Sequence, residues 1–232
     1  MAGTLPEPFD TWFAEQGWAP RAHQMAMLDA ARDGESVLLI APTGGGKTLA
    51  GFLPSLIELA GAPRQGLHTI YVSPLKALAT DIVRNLTRPV EQMGLSITIE
   101  SRTGDTPANR RARQKAAPPN LLLTTPESLA VLISSPDAPM FFGRLRCIVM
   151  DEVHALAGTK RGDQLALCVA RLRSLSPQAR RVGLSATVAH PAAIQAFVGA
   201  SRVMRDAAMP APGSSCTPAR GHGPTAELNP SD

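Results

Sequence analysis

Short apolar, β-branched runs recur along this chain at residues 36–40, 69–73, 96–100, 121–124, 147–151 and 181–185. Such runs, bounded by turn residues, read as strands buried on both faces. Between most of them lie stretches with helical periodicity, at 47–60, 75–93, 107–116, 126–134 and 163–175. A further helix is expected at 191–197, where Pro191 suits the first turn. Pro54 falls inside the first of these helices and predicts a kink or local adjustment there. Alternation of this kind predicts an α/β fold, a mostly parallel sheet with helices on both faces.

The chain has 232 residues, 44% of them hydrophobic, enough for one domain with a substantial core. No apolar run approaches the ~20 residues needed to span a bilayer. Glu7, Asp10 and Glu15 near the N-terminus, with no basic lead-in, are unlike a secretory signal. A cytoplasmic protein is therefore expected. Cys147 and Cys168 sit in a strand and a helical stretch and Cys216 in the tail, so thiols are expected rather than disulfides or a zinc site. From residue 206 to 232 there are five prolines and three glycines and almost no apolar periodicity. That segment is expected to be a disordered tail following a single domain over 1–205.

Net charge is +4. The stretch 102–115 holds Arg102, Arg110, Arg111, Arg113 and Lys115 against Asp105, so this stretch alone carries a charge equal to that of the whole chain. Two readings stay open at this point: a solvated helix face, or a contact for a polyanion such as nucleic acid.

The first expected strand runs into Ala41-Pro42-Thr43-Gly44-Gly45-Gly46-Lys47-Thr48. Glycines let backbone N–H groups close around an anion, a lysine neutralises it, and the following helix N-terminus adds favourable partial charge. This is the chemistry of a nucleoside triphosphate cradle, with Ala41 standing where the general phosphate-loop pattern has glycine. About a hundred residues later, the strand 147–150 delivers Asp151 and Glu152 to its C-terminal edge. In an open parallel sheet, that edge is where ligands bind. One carboxylate there can hold Mg²⁺ while its neighbour orients or deprotonates an attacking water.

In order, the strand ends read Ala41 to Thr48, Ser73-Pro74-Leu75-Lys76-Ala77-Leu78, Thr103-Gly104-Asp105, Thr125-Pro126-Glu127-Ser128-Leu129, Asp151-Glu152-Val153-His154 and Ser185-Ala186-Thr187. This series resembles the first, RecA-like half of a superfamily 2 DExH-box helicase from about Arg21 to Phe197. The flanks Tyr71 to Ala79, Arg102 to Pro107 and Lys160-Arg161-Gly162-Asp163 resemble the large helicase-related (Lhr) group. The run Asp137 to Cys147 is similar to bacterial ligase-associated DNA-damage-response helicases.

The resemblance implies ATP and Mg²⁺ as cofactors, with Lys47 on the β and γ phosphates, Thr48 and Asp151 on the metal, and Glu152 positioning water. Thr43, Gly44, Gly45 and Gly46 would complete the cradle. Gln24 would read adenine, since an amide both donates and accepts. His154 would couple the site to Ser185 and Thr187. It also implies nucleic acid as partner, DNA by resemblance and largely independent of sequence, contacted by Ser73, Pro74, Lys76, Gly104, Asp105, Thr125, Pro126 and Glu127. A DNA ligase and a nuclease are implied partners.

Helicases of this superfamily place ATP between two RecA-like domains, and nothing after Ser201 resembles the second. Two expectations follow: a truncated ATP-binding lobe of a DNA-repair helicase, weak as an ATPase, or a stand-alone nucleotide- and nucleic-acid-binding module without motor activity. A P-loop enzyme of another kind, such as a small-molecule kinase, gives no reason for Thr125-Pro126-Glu127 or Ser185-Ala186-Thr187.

Overall fold

A computed structural model describes residues 5–62, 65–186, 188 and 190–206, with backbone alone for 77–80. Thr187, Cys216 and all of the expected tail beyond Asp206 lie outside the described residues. Seven parallel strands form one sheet: β1 (Val37–Ile40), β2 (Thr69–Val72), β3 (Ile99–Arg102), β4 (Leu121–Thr124), β5 (Cys147–Met150), β6 (Arg180–Ser185) and β7 (Arg202–Arg205). Their order across the sheet is β3-β4-β2-β5-β6-β1-β7. The mostly parallel α/β architecture expected from the alternation is the one present.

Alternate residues of each central strand feed opposite cores. Val37 and Leu39 of β1, with Cys147 and Val149 of β5, face one layer. That layer is built from α1 (Phe9–Glu15), α2 (Ala22–Arg32), α3 (Lys47–Gly61) and α4 (Lys76–Gln92), through Phe9, Trp12, Met27, Phe52, Leu56 and Leu86 among others. Leu38, Ile40, Ile148 and Met150 face the other. There, α6 (Pro126–Ile133), α7 (Ala138–Phe142), α8 (Val153–Leu156), α9 (Lys160–Leu175) and α10 (Pro191–Val198) supply Leu129, Phe142, Val153, Leu165 and Ile194. Strands without a polar face suit a sheet covered on both sides.

α5 (Ala108–Ala116) is different, because it has no apolar stripe to bury. It is held instead by polar contacts: the Gln114 amide donates to Glu100 and to the Ser101 carbonyl, and Arg110 and Arg113 pair with Glu100. Lys115 turns away to Ser135 and Asp137, and Arg102 lies buried in β3 with its guanidinium on the Arg111 carbonyl. The basic cluster of 102–115 is thus largely occupied within the fold, by the Glu100 and Asp137 carboxylates and by the backbone carbonyls of Gly104 and Arg111. The solvated-helix reading describes α5 better than an open polyanion footprint.

Several expected boundaries shift. The third strand, expected at 96–100, is β3 at Ile99–Arg102, because Asn120 takes the Thr98 N–H and hydroxyl on its side chain and delays the ladder. The helix expected from 163 begins at Lys160, where the Thr159 hydroxyl caps it by accepting from the Gly162 N–H. α3 continues across Pro54 to Gly61 as one helix. Helices α1, α2, α7 and α8 and edge strand β7 are additions to the expected set. Among the described residues, no helix is long and apolar enough to cross a membrane. Cys147 and Cys168 are buried free thiols, as expected.

Candidate functional site

The loop from Ala41 to Gly46 joins β1 to α3. Gly44 and Gly46 lie at φ 79° and 75°, a left-handed conformation that a side chain would strain. The Gly45 N–H donates to the Pro42 carbonyl at 3.0 Å, tightening the turn. Lys47, the first residue of α3, is 8% exposed and its ammonium donates to the Ala41 carbonyl at 2.8 Å. The charge thus folds back across the loop it closes, beside a helix N-terminus whose dipole favours anions.

β5 brings the acidic pair to the same rim. Strands β1 and β5 both flank β6, with Ile40 opposite Ser185 and Met150 opposite Gly183. The Ala41 N–H donates to the Ser185 carbonyl and the Asp151 N–H to the Val72 carbonyl, so the chain ends leave one edge together. Asp151 is 3% exposed. Its carboxylate accepts from the Tyr71 hydroxyl and from the Glu152 N–H, the latter at 2.8 Å. Burial raises the Asp151 carboxyl above its ordinary range, against the hydrogen bond from Tyr71 and the attraction of Lys47, which pull it down. Burial also pushes the Tyr71 hydroxyl far above its ordinary value, with the Asp151 carboxylate adding to it, so the phenol remains a donor. Stacking on Phe52, with centroids 5.1 Å apart, fixes the Tyr71 ring.

Glu152 occupies φ 49°, a left-handed backbone that costs a non-glycine residue about 1 to 3 kcal/mol and that clusters at functional sites. That conformation turns the chain into α8 and places the Glu152 carboxylate 3.2 Å from His154 Nε2. On the other side of the ring, Nδ1 accepts from the Ala186 N–H at 3.3 Å and lies 3.3 Å from the Ser185 hydroxyl. The proton therefore sits on Nε2, facing Glu152. His154 thus links Glu152 to the end of β6, bringing together Glu152, His154 and Ser185, all three picked from sequence; Thr187 lies outside the described residues.

Gln24 is buried beside the loop. Its carbonyl oxygen accepts from the Arg21 N–H at 2.9 Å, and its amide nitrogen would stand 3.0 Å from a methyl placed on Gly46. The same rim holds Asp206 after β7, 3.8 Å from His23 Nδ1 and tied by its N–H to the Ile40 carbonyl.

The donor set suits a hard divalent cation that keeps water and phosphate ligands. Asp151 offers a buried carboxylate whose charge burial disfavours, and Thr48 follows Lys47 in the first turn of α3. The described residues contain no group of three or more His, Cys, Asp or Glu side chains placed to hold a metal by themselves.

Along the rim beyond β2 lie the residues proposed to meet nucleic acid. Lys76, Gly104, Asp105 and Glu127 are exposed and Pro74 half-buried, whereas Ser73, Thr125 and Pro126 are buried. The buried hydroxyls shape the loops: Ser73 Oγ accepts from the Leu75 N–H, and Thr125 Oγ1 caps α6 through the Ser128 N–H. Lys76 pairs with Asp105 at 3.1 Å, joining two loops. A cleft of about 150 Å³ runs between Gly104, Arg111 and the first turns of α6 at Glu127, Ser128 and Val131.

Tyr71, Arg161 and Asp206 belong to this rim and were given no role from sequence. Tyr71 carried a signal, a lone tyrosine in a strand otherwise built of aliphatic residues. Arg161 stood in the flanking run Lys160-Arg161-Gly162-Asp163 without a role, and Asp206 carried no signal, since only the folded loops bring them to the rim.

Comparison with known proteins identifies a family and a shared fold. The DEAD/DEAH box helicase family matches residues 21–194. The Lhr helicase/probable uracil glycosylase of Mycolicibacterium smegmatis is 46% identical over 201 residues, 81% of this chain and 13% of the relative. The ATP-dependent helicase Lhr-Core of Methanothermobacter thermautotrophicus is 41% identical over 184 residues, covering 73% and 21%. The structure of Mycobacterium smegmatis helicase Lhr bound to ssDNA and AMP-PNP superposes with a TM-score of 0.78 at 43% identity, over 87% of this chain and 28% of that one. The structure of DEAD-box helicase Mss116 bound to ssRNA and UDP-BeF reaches a TM-score of 0.75 at 18% identity, over 88% of this chain and 43% of that one, and shows the shared fold. The chain spans between 13% and 21% of the length of these two Lhr relatives. With a matched region that runs from the Gln24 segment to α10, this chain belongs to the DEAD/DEAH box helicase family and is similar to the Lhr helicases.

Proposed function

We propose that this chain is the N-terminal ATP- and nucleic-acid-binding lobe of a DNA-repair helicase of the Lhr type, similar to the ligase-associated group, and that by itself it hydrolyses ATP weakly. The observation that carries the reading is the convergence of Lys47, Asp151, Glu152 and His154 on one edge of the sheet. The binding of AMP-PNP and ssDNA by the superposed Lhr helicase supports it.

In this reading, Lys47 leaves the Ala41 carbonyl to neutralise the β and γ phosphates, and the glycine-loop amides bind their oxygens. Gln24 meets the adenine edge. Asp151, steadied by Tyr71, and Thr48 would hold Mg²⁺. Held there, the ion would supply neutralisation of the negative charge that develops in transfer. Glu152 orients the attacking water and takes its proton, and His154 reports the state of that carboxylate to Ser185. Lys76 and the loop amides around Gly104 meet backbone phosphates, so recognition is independent of base sequence.

An arginine supplied from a second lobe is worth roughly 10³ to 10⁵ in rate at such sites, which is the reason for expecting weak turnover from this lobe. Steady-state ATPase with and without single-stranded DNA tests this. Slow turnover, restored by adding a second RecA-like lobe in trans, is expected. Strand-stimulated turnover at about 1 to 100 s⁻¹ by this chain alone would contradict it.

A further inference from the structure

Arg161 stands where three functional segments meet. Its Nε donates to Glu127 Oε1 at 2.6 Å, and its NH2 group donates to the Pro74 carbonyl at 2.9 Å. Pro74 belongs to the loop after β2 and Glu127 to the first turn of α6, so one guanidinium spans two separate loops of the rim. The planar fork makes this possible; an ammonium cannot reach two acceptors with the same fixed geometry.

Its position is unfavourable on local grounds. Arg161 lies in the first turn of α9, where the helix dipole disfavours a cation. Both partners of the Arg161–Glu127 pair are about half exposed, and such pairs contribute little to stability. The fold spends backbone precision on placing it all the same. A methyl on Gly162 would stand 2.1 Å from the Leu156 carbonyl, so only glycine lets the α9 first turn seat against the end of α8. α8 in turn follows Asp151 and Glu152 directly. The segment that carries the acidic pair therefore ends in the residue that holds the two loops.

We infer that Arg161 is a positioning residue: it locks the Pro74 loop and the α6 first turn into the mutual placement that a nucleic acid strand requires, and ties that placement to the Asp151–Glu152 segment. This rests on the proposed strand track. Arg161 acts through its two partners, with its charge already spent on Glu127.

Variants of the 232-residue chain separate this role from a plain electrostatic one. Strand affinity, measured with fluorescent single-stranded oligonucleotide, should fall about tenfold in Arg161→Ala and equally in Arg161→Lys, since the second keeps charge without the fork. Glu127→Gln should also weaken binding, although it removes a negative charge beside the strand. Affinity for a fluorescent ATP analogue without nucleic acid, and the melting temperature, should stay at parental values. Hydrogen exchange without any strand present should speed up at the Leu75 and Ser128 amides in Arg161→Ala. Full rescue by Arg161→Lys, or tighter binding by Glu127→Gln, would overturn the inference, as would unchanged exchange at those amides. A parent chain that binds no strand would instead overturn the proposed track, and with it the purpose of the clamp.

Discussion

At the scale of single residues, the site is a set of groups held in states they would not choose alone. Asp151 is the sharpest case, a buried carboxyl raised above its ordinary range. A group raised in the folded state favours folding at pH below its unfolded value and withdraws that support as the pH climbs through the folded one. At neutral pH, Asp151 is therefore a cost to stability, which a bound cation would offset. Asp151→Asn keeps the shape and can still meet the Tyr71 hydroxyl and the Glu152 N–H while removing the charge. It should raise the melting temperature by about 2 to 4 °C, for a gain of about 1 kcal/mol, while abolishing Mg²⁺-dependent nucleotide hydrolysis. The gain should fade in melting curves taken at acid pH, and a destabilised variant at pH 7 would show that burial of this charge is fully compensated already. The chemistry of Lys47, Asp151 and Glu152 was legible from residue type because each sits next to a recognisable strand end. The contacts of Tyr71 and Arg161 were not, since their partners lie 80 and 34 positions away in the chain.

Among elements, the central strands were the most legible, because a strand buried on both faces writes itself as an unbroken apolar run. β3 and β7 border the sheet, and the pattern weakens there: β7 reads Arg202, Val203, Met204 and Arg205, too short and too basic to stand out. Helices α1 and α2 did carry a signal, Phe9, Trp12 and Phe13 in the first and His23, Met27 and Ala30 in the second, spaced three to four apart. The start of α9 was misplaced because Thr159 reads as a loop residue until its capping bond is seen. That start is also where an element governs function. Gly162→Ala would drive a methyl into the Leu156 carbonyl, costing about 2 to 4 kcal/mol and displacing the α9 first turn. Denaturant unfolding should register the loss, and strand binding should weaken more than nucleotide binding. Parental stability would mean that the α8–α9 junction yields more easily than its geometry implies.

For the whole molecule, the parallel sheet does the gathering. Parallel strands put every C-terminal end on one edge, so loops separated by a hundred residues arrive as neighbours, and topology alone turns six scattered segments into one surface. The position of that edge followed from the order of strands and helices, which is why the nucleotide half of the site could be read ahead of the fold. The strand-facing half was less legible, because Ser73, Thr125 and Pro126 are buried and Lys76 is engaged with Asp105. The account as a whole rests on Lys47 and Asp151 gripping one magnesium-bound triphosphate between them. Equilibrium titration of a non-hydrolysable ATP analogue into the chain, with and without Mg²⁺, tests this directly against the Lys47→Ala and Asp151→Ala variants. The account predicts Mg²⁺-enhanced binding by the parent, a loss of about tenfold to a hundredfold in Lys47→Ala, and no Mg²⁺ enhancement in Asp151→Ala. Parental affinity in Lys47→Ala, or an undiminished response to Mg²⁺ in Asp151→Ala, would contradict it.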